Sequence, residues 1–249
     1  MSEQARGGRL RTWAGALRRW PVHPQWLLGG REEAAALHEA FSGFSGVVVD
    51  IGCADRRASR CLPSGCEYVG FDYPRTAIGL YGSRPDVFGD ARRLPFGDRS
   101  VDAVVLKDVL EHVQGPHAAL EECARILRPG GSLVVWMPFM YPVHDAPHDF
   151  QRFTSHGLAA YLVEAGFDVS RASRVLPPVR TAGLLACLAL ADSCERITSR
   201  TWWCLPVVPL LVGLICLVNL AAFALGWLPG SGFMPAFNRV VAIRRGPGP

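Results

Sequence analysis

The sequence has no paired cysteines: its eight (Cys53, Cys61, Cys66, Cys123, Cys187, Cys194, Cys204, Cys216) contain no C-x-x-C. That excludes a zinc ribbon or a thioredoxin-like pair and offers no disulfide framework, so a reducing, cytosolic setting is expected. Charge is also scarce, at 19% against 49% hydrophobic residues, which excludes a disordered or acidic-tail protein. The basic excess is small, a net +4, and much of it lies in Arg6, Arg9, Arg11, Arg18, Arg19 and Arg31. No long basic stripe forms, so no nucleic-acid partner is expected. The same arginines interrupt any apolar run near the N-terminus, so no secretory leader is expected. The largest absence comes late: from Thr201 to Asn238 there is no Asp, Glu, Lys or Arg. Something in that stretch avoids bulk water.

A chain of 249 residues holds one to two domains. Leu10, Trp13, Leu17 and Trp20 share one helical face among arginines, which suits an interfacial helix or a helix that caps the domain. Residues 31 to 41 read as a second helix with acids in its first turn, broken by Ser42 to Gly46. From Val47 short apolar runs alternate with helical stretches, the mark of parallel βα units. Strands are expected at Val47 to Ile51, Glu67 to Phe71, Asp86 to Phe88, Val101 to Leu106 and Ser132 to Met137. The helix before the last begins near Pro116, packs Leu120, Cys123 and Leu127, and is expected to stop at Pro129-Gly130-Gly131. Ligand chemistry in such a sheet gathers at the carboxyl ends of the strands.

The run Val47-Val48-Val49-Asp50-Ile51-Gly52-Cys53-Ala54-Asp55 passes from a buried strand into a turn, where Gly52 lets backbone approach a ligand. Asp72, twenty residues on, offers a carboxylate that can accept two ribose hydroxyls. A nicotinamide site would share these but needs the second and third glycines of G-x-G-x-x-G, which are absent. With Phe88-Gly89-Asp90-Ala91 the chain resembles the class I S-adenosylmethionine-dependent methyltransferases, from about Gly46 to Val175. The blocks that carry the resemblance are VVVDIGCA, YVGFDYP, RPDVFGDARRLPFGDRSVDAVV, DVLEHV and ARILRPGGSLVVWMPFMYPVHDAPHDFQRFT, with EAGF ahead of a sixth strand. Within that superfamily it is similar to the bacterial branch with a hydrophobic C-terminal extension. The resemblance implies a Rossmann-like doubly wound seven-stranded sheet with the last strand antiparallel, and S-adenosyl-L-methionine as cofactor. It further implies that Asp50, Gly52 and Ala54 line the methionine and ribose side and that Asp72 holds the ribose hydroxyls. Asp90 and Ala91 would lie at the adenine, with Lys107 and Asp108 near the methionine. Ala54 replaces the more common second glycine, and Arg56-Arg57 replaces a glycine-rich turn, which suits a cationic sulfonium only if both point outward or meet an anion.

Methyl transfer to a hydroxyl also needs a proton acceptor. His144 and His148, with Asp145 and Asp149, lie in the loop after the fifth strand; they supply a general base, named here as His144, His148 and Asp149, or they hydrogen-bond the loop in place. Asp108, Glu111 and His112 lie along one helical turn, and His144 could complete an oxygen-nitrogen metal set with them. A cap and a substrate contact account for the same residues, so no metal is expected.

Residues 203 to 228 form 26 residues without charge; Pro206 and Pro209 leave about 19 for a helix of roughly 28 Å, enough for a hydrocarbon core of about 30 Å. Val240 to Ile243 then reads as the final strand, which must return to the same sheet, so the apolar stretch is an insertion between the last two strands and cannot cross a membrane an odd number of times. Thr181 to Ala191 is too short to cross unaided. A re-entrant or interfacial hairpin follows, anchored by Trp202, Trp203 and Trp227 and flanked by Arg180, Arg196, Arg200, Arg239, Arg244 and Arg245; the alternative is one true span that leaves the last residues outside. The expected organisation is 1–45 amphipathic and capping helices, 46–177 methyltransferase core, 178–236 hydrophobic membrane-associating insertion, and 237–249 final strand and tail. The expected function is transfer of a methyl group to a hydroxyl of a small-molecule or lipid-linked acceptor at the cytoplasmic face of a membrane. The alternative is a catalytically degenerate, membrane-anchored binding or scaffolding protein with the same fold.

Overall fold

A computed structural model describes residues 17–200 and 206–246. Seven strands, β1 (Val47–Ile51), β2 (Glu67–Asp72), β3 (Val87–Phe88), β4 (Val101–Lys107), β5 (Leu127–Pro138), β6 (Phe167–Val175) and β7 (Phe237–Arg244), form one sheet in the order β3-β2-β1-β4-β5-β7-β6. β1 to β5 are parallel, and β7 lies antiparallel between β5 and β6. This is the doubly wound, Rossmann-like sheet with a reversed last strand, and helices fill the insertion between β6 and β7.

Apart from Asp50 in β1 and Asp102 and Lys107 in β4, these two central strands are apolar because both faces are covered. Side chains alternate between the two layers: Val49, Ile51, Val104 and Leu106 join one core with Leu120, Ile126 and Phe167. Val48 and Val105 join the other with Leu37, Phe41 and Trp136. Leu37 and Phe41 come from α1 (Gly30–Phe41). α2 (Pro116–Ile126) starts at its proline as expected but stops before Pro129-Gly130-Gly131. Leu127 already pairs with Val101, and those three residues fall in the irregular start of β5, where the register with β4 shifts. α3 (Ser155–Glu164) is capped by Thr154, whose hydroxyl accepts from the Gly157 N–H at 3.0 Å.

The chain divides into two compact units, 34–175 with 236–249 and 1–33 with 176–235. The division falls inside α1, whereas the sequence suggested one N-terminal segment to residue 45. In the second unit α4 (Pro178–Arg200) and α5 (Val207–Leu225) pack together. α4 is 23 residues long: the helix continues past the apolar run Thr181 to Ala191 through Asp192, Glu195 and Arg196. A Cβ added at Gly183 would lie 2.4 Å from the Ala222 Cβ, so this small pair sets how closely the helices approach. Asn219, mid-way along α5, is buried and donates to the carbonyls of Pro21 and His23 at 2.6 and 2.9 Å. Leu10, Trp13, Trp202 and Trp203 lie outside the described residues.

Most of the arginines that flank the apolar stretch have partners within the protein. Arg180 is buried against Glu32 at 2.9 Å and lies over the rings of Phe223 and Trp227. Arg239 is buried against the Ala36 carbonyl and Glu39, Arg244 donates to the Ala124 carbonyl at 2.7 Å, and Arg245 to Asp168 at 2.8 Å. A guanidinium brought under protein cover needs acceptors there; each of these four has at least one, while Arg180 Nε and Arg239 Nε are buried without one. Arg196 stays exposed, paired with Asp192 one turn before it.

Candidate active site

The carboxyl ends of β1 to β4 place Asp50, Gly52, Asp72, Gly89, Asp90, Lys107 and Asp108 along one edge of the sheet. Gly52 has φ +74°, and a Cβ there would stand 2.3 Å from Val109 Cγ2, so the turn needs glycine for both conformation and space. The N–H groups of Gly52 and Cys53 donate to the Phe71 carbonyl at 2.8 and 3.1 Å, clamping the turn to β2. Ala54 and Arg56 follow at φ +42° and +59°, a region that strains side-chain-bearing residues.

Asp72 is buried and holds this turn together: Oδ2 accepts from the Ala54 N–H at 2.9 Å, and Oδ1 from the Tyr73 N–H at 2.7 Å and Thr76 Oγ1 at 3.2 Å. A carboxylate offers about four lone-pair sites, so acceptor capacity remains for a ligand hydroxyl. Asp50 is also buried, and that burial pushes its carboxyl up to about 7 even though Tyr68 Oη donates to it at 2.7 Å. Lys107, the only lysine in the chain, meets the Asp108 carboxylate at 2.5 Å. Asp108 has φ +55° and donates its N–H to the Trp136 carbonyl.

Two arginine questions are settled by pairing. Arg56 forks onto Asp86 at 2.7 and 3.0 Å, and Arg57 meets Asp55 at 2.5 Å, so both charges are balanced within the protein. Arg92 also forks onto Asp90, reaching Oδ2 at 2.6 Å and Oδ1 at 3.0 Å; that bond holds Asp90 below the ordinary carboxylate range. The Asp90 carboxylate, assigned to the adenine by resemblance, is therefore shared with a guanidinium, while Ala91 beside it is buried.

Beyond β4 the turn Leu110–His112 carries Glu111 inward with no solvent exposure. Burial, reinforced by the Asp108 charge, pushes its carboxyl well above the ordinary range. The His112 ring meets the His144 ring edge-on at 4.9 Å, and the Phe150 N–H donates to the Glu111 carbonyl at 2.8 Å. Asp149 accepts the His144 N–H at 2.9 Å and an Arg152 Nη2 at 2.7 Å; Arg152 holds its carboxyl down at about 2. Of the expected base set, His144 and Asp149 therefore meet. His148 is exposed with its ring near Phe150, and its carbonyl, not its ring, reaches His112. Asp145 is exposed with φ +51°. Tyr68 and Arg152 were not anticipated: nothing local in the sequence ties Tyr68 to Asp50, whereas the Asp149-to-Arg152 spacing was available as a signal. An open cavity of about 270 Å³, lined by Tyr141, Val143, Asp149, Phe150, Gln151 and Arg152, adjoins the cluster.

Residues 49–135 match the family model described as a methyltransferase domain. Those residues, about a third of the chain, are thus similar to a methyltransferase domain, and the sheet that holds them has the class I methyltransferase fold. Over 70 residues the domain is 46% identical to a demethylmenaquinone methyltransferase of Mycobacterium bovis, covering 28% of this chain. The alignment spans 30% of the length of that relative. A solved S-adenosylmethionine-dependent methyltransferase from Archaeoglobus fulgidus shares the methyltransferase fold at TM-score 0.54 and 19% identity, over 88% of this chain and 97% of that one. The [4+2]-cyclase SpnF shares it at TM-score 0.56 and 18% identity, over 86% of this chain and 80% of that one.

Proposed function

We propose that the chain transfers a methyl group from S-adenosylmethionine to a hydroxyl of a small-molecule or lipid-linked acceptor at the cytoplasmic face of a membrane. The observation that carries the donor assignment is the cradle built by Gly52, Ala54 and Asp72 within a methyltransferase domain. Asp72 would hold the ribose hydroxyls, Asp50 and Lys107–Asp108 would border the methionine, and Ala91 would pack at the adenine. Transfer from a sulfonium is an in-line displacement, so positioning supplies most of the catalysis. The acceptor hydroxyl would enter beside Tyr141 and Phe150 and give its proton to His144 at Nε2, with Asp149 holding Nδ1.

Membrane association rests on α5, the one described helix long and apolar enough to cross a membrane. Leu210, Leu217 and Trp227 on and after it are 73, 63 and 77% exposed, a density of uncovered apolar side chains that water disfavours. The named quinone-pathway relative is compatible with an amphipathic acceptor. The organisation proposed is a membrane-associating insertion, 178–236, within a methyltransferase core of 46–177 and 237–249, preceded by 1–45.

The test is calorimetry with S-adenosylmethionine, then incubation of the protein with labelled donor and a host lipid extract. Binding lost by roughly 100-fold in Asp72→Ala, about 2 to 3 kcal/mol, and label in extractable lipid are expected. Label confined to water-soluble products would remove the lipid acceptor. A binding or scaffolding protein is the second reading, favoured by the Arg92 fork on Asp90 and by the non-methylating name of one structural neighbour; absence of donor binding would establish it.

A further inference from the structure

Glu111 has a fully buried carboxylate, and neither oxygen receives a hydrogen bond. Leaving an acceptor buried without a donor is costly. Two imidazole lone pairs face it, with the Arg152 cation, paired to Asp149, also acting on it. His112 Nδ1 lies 2.6 Å from the His148 carbonyl, so Nδ1 carries the proton and the bare Nε2 is left 3.7 Å from Glu111 Oε1. His144 Nδ1 lies 3.3 Å from the Pro142 carbonyl and 3.2 Å from Asp149 Oδ2, with Arg152 Nη2 further off at 3.5 Å. Two nearer acceptors place the proton on Nδ1 there too, and His144 Nε2 is left 3.9 Å from the same Glu111 oxygen. One donor atom from each of the three residues falls within 4.8 Å of the others.

We infer that Glu111, His112 and His144 hold a divalent transition-metal ion through one carboxylate and two imidazole Nε2 atoms. The His148 carbonyl and Asp149 would be the outer partners that fix each ring's tautomer and orientation, the arrangement by which protein sites present histidines to metals. Two imidazoles and one carboxylate, with no thiolate, suit Zn²⁺, Fe²⁺, Co²⁺ or Mn²⁺ and not Ca²⁺ or Mg²⁺. Donors about 2.1 Å from an ion stand about 3.4 Å apart in a tetrahedral site, so each Glu111–His pair must close by a few tenths of an ångström. Three protein ligands leave a position open to an oxygen of the acceptor. No metal was expected from the sequence; of the four candidate residues it offered, Asp108 pairs with Lys107. The site stands on this geometry and not on methyl transfer. With an ion bound, His144 is a ligand and is not free to take the acceptor's proton; without one, His144 remains the base.

The experiment uses the full chain in detergent, carrying no histidine tag, stripped with chelator and titrated with Co²⁺, read by visible d–d absorption and equilibrium dialysis. One Co²⁺ per chain is expected, with affinity at least 100-fold weaker in the His112→Ala/His144→Ala double variant and 10- to 100-fold weaker in Asp149→Asn. Wild-type affinity no greater than that of the folded double variant would overturn the inference. Should that variant not fold, Zn²⁺ added to nitrogen-labelled wild-type protein must shift two of its seven imidazoles; no shift would overturn it equally. Donor calorimetry on the same samples separates this result from the methyl-transfer reading, because failure of either leaves the other standing.

Discussion

The two units of the chain use apolar side chains in opposite ways. In residues 34–175 with 236–249 they close over a sheet, and Val48, Val49, Val104 and Leu133 are wholly buried. In 176–235 the most apolar of the described helices leaves Leu210, Leu214, Leu217 and Leu220 uncovered, while its one mid-helix amide, Asn219, is buried. The first pattern is an ordinary packed core; the second is reversed, covering its amide and exposing its leucines. Charge follows the same division: the sheet unit carries a dense set of carboxylates at one edge, and α5 carries none. Composition averaged over the whole chain hides both.

The sharpest way to break this comparison is to remove the second pattern. Val175 pairs with Phe237, so a short Gly/Ser turn can replace residues 177–235 between the two strands. The resulting protein should move from the membrane to the soluble fraction on ultracentrifugation and keep its donor affinity; loss of donor binding would show that the two units are not separable.

Gly52→Ala should act on the sheet unit alone. The added Cβ meets Val109 and the positive φ is unfavourable, which costs about 1 to 3 kcal/mol and should appear in chemical denaturation together with weakened donor binding. Asn219→Ala should act on the other unit, leaving the Pro21 and His23 carbonyls without their donor. A loss of about 1 to 2 kcal/mol is expected in thermal unfolding, with donor affinity unchanged.

A further effect concerns pH. The Asp50 carboxyl lies near 7 in the folded protein against 3.8 for the free group. A group raised in this way favours the folded state below 3.8 and loses that contribution as pH rises through 7. A cationic donor favours the ionised form, so donor affinity should rise with pH up to about 7, by at most about tenfold per unit. Asp50→Asn should flatten both profiles in calorimetry and denaturation; an unchanged slope would place the titrating group elsewhere.

Much of the sheet was legible because buried parallel strands must be continuously apolar. Val47 to Ile51 therefore announces itself, and Val240 to Ile243 could be assigned to the closing strand from its position after the apolar run. The end of α2 was less legible. Proline and glycine at 129–131 marked a break, but the break belongs to the irregular start of β5, since pairing of Leu127 with Val101 ends the helix first. At the site, Gly52 and Asp72 were readable from spacing along one strand-turn unit. The shared duty of Asp90 with Arg92 was open to reading two residues away. The link from Tyr68 to Asp50 was not, because it crosses between neighbouring strands and depends on their register.

The flanking arginines show the limit most plainly. As letters, Arg180, Arg239 and Arg244 are cations beside an apolar run; in the fold each is enclosed by carbonyls, a carboxylate or aromatic rings. By itself the sequence determined the strand and helix content, the cradle at the end of β1, and the apolar insertion that leaves the sheet and returns to it. These follow from local periodicity, turn chemistry and the requirement that β7 pair beside β5. Only the tertiary structure decided which charges are balanced and which stand alone. Glu111 is an ordinary acid in the sequence, and it became a carboxylate without donors, facing two imidazole lone pairs, because the turn after β4 and the loop after β5 meet in space. Partners in a folded chain are chosen by distance through the protein, and spacing along the chain does not report that distance.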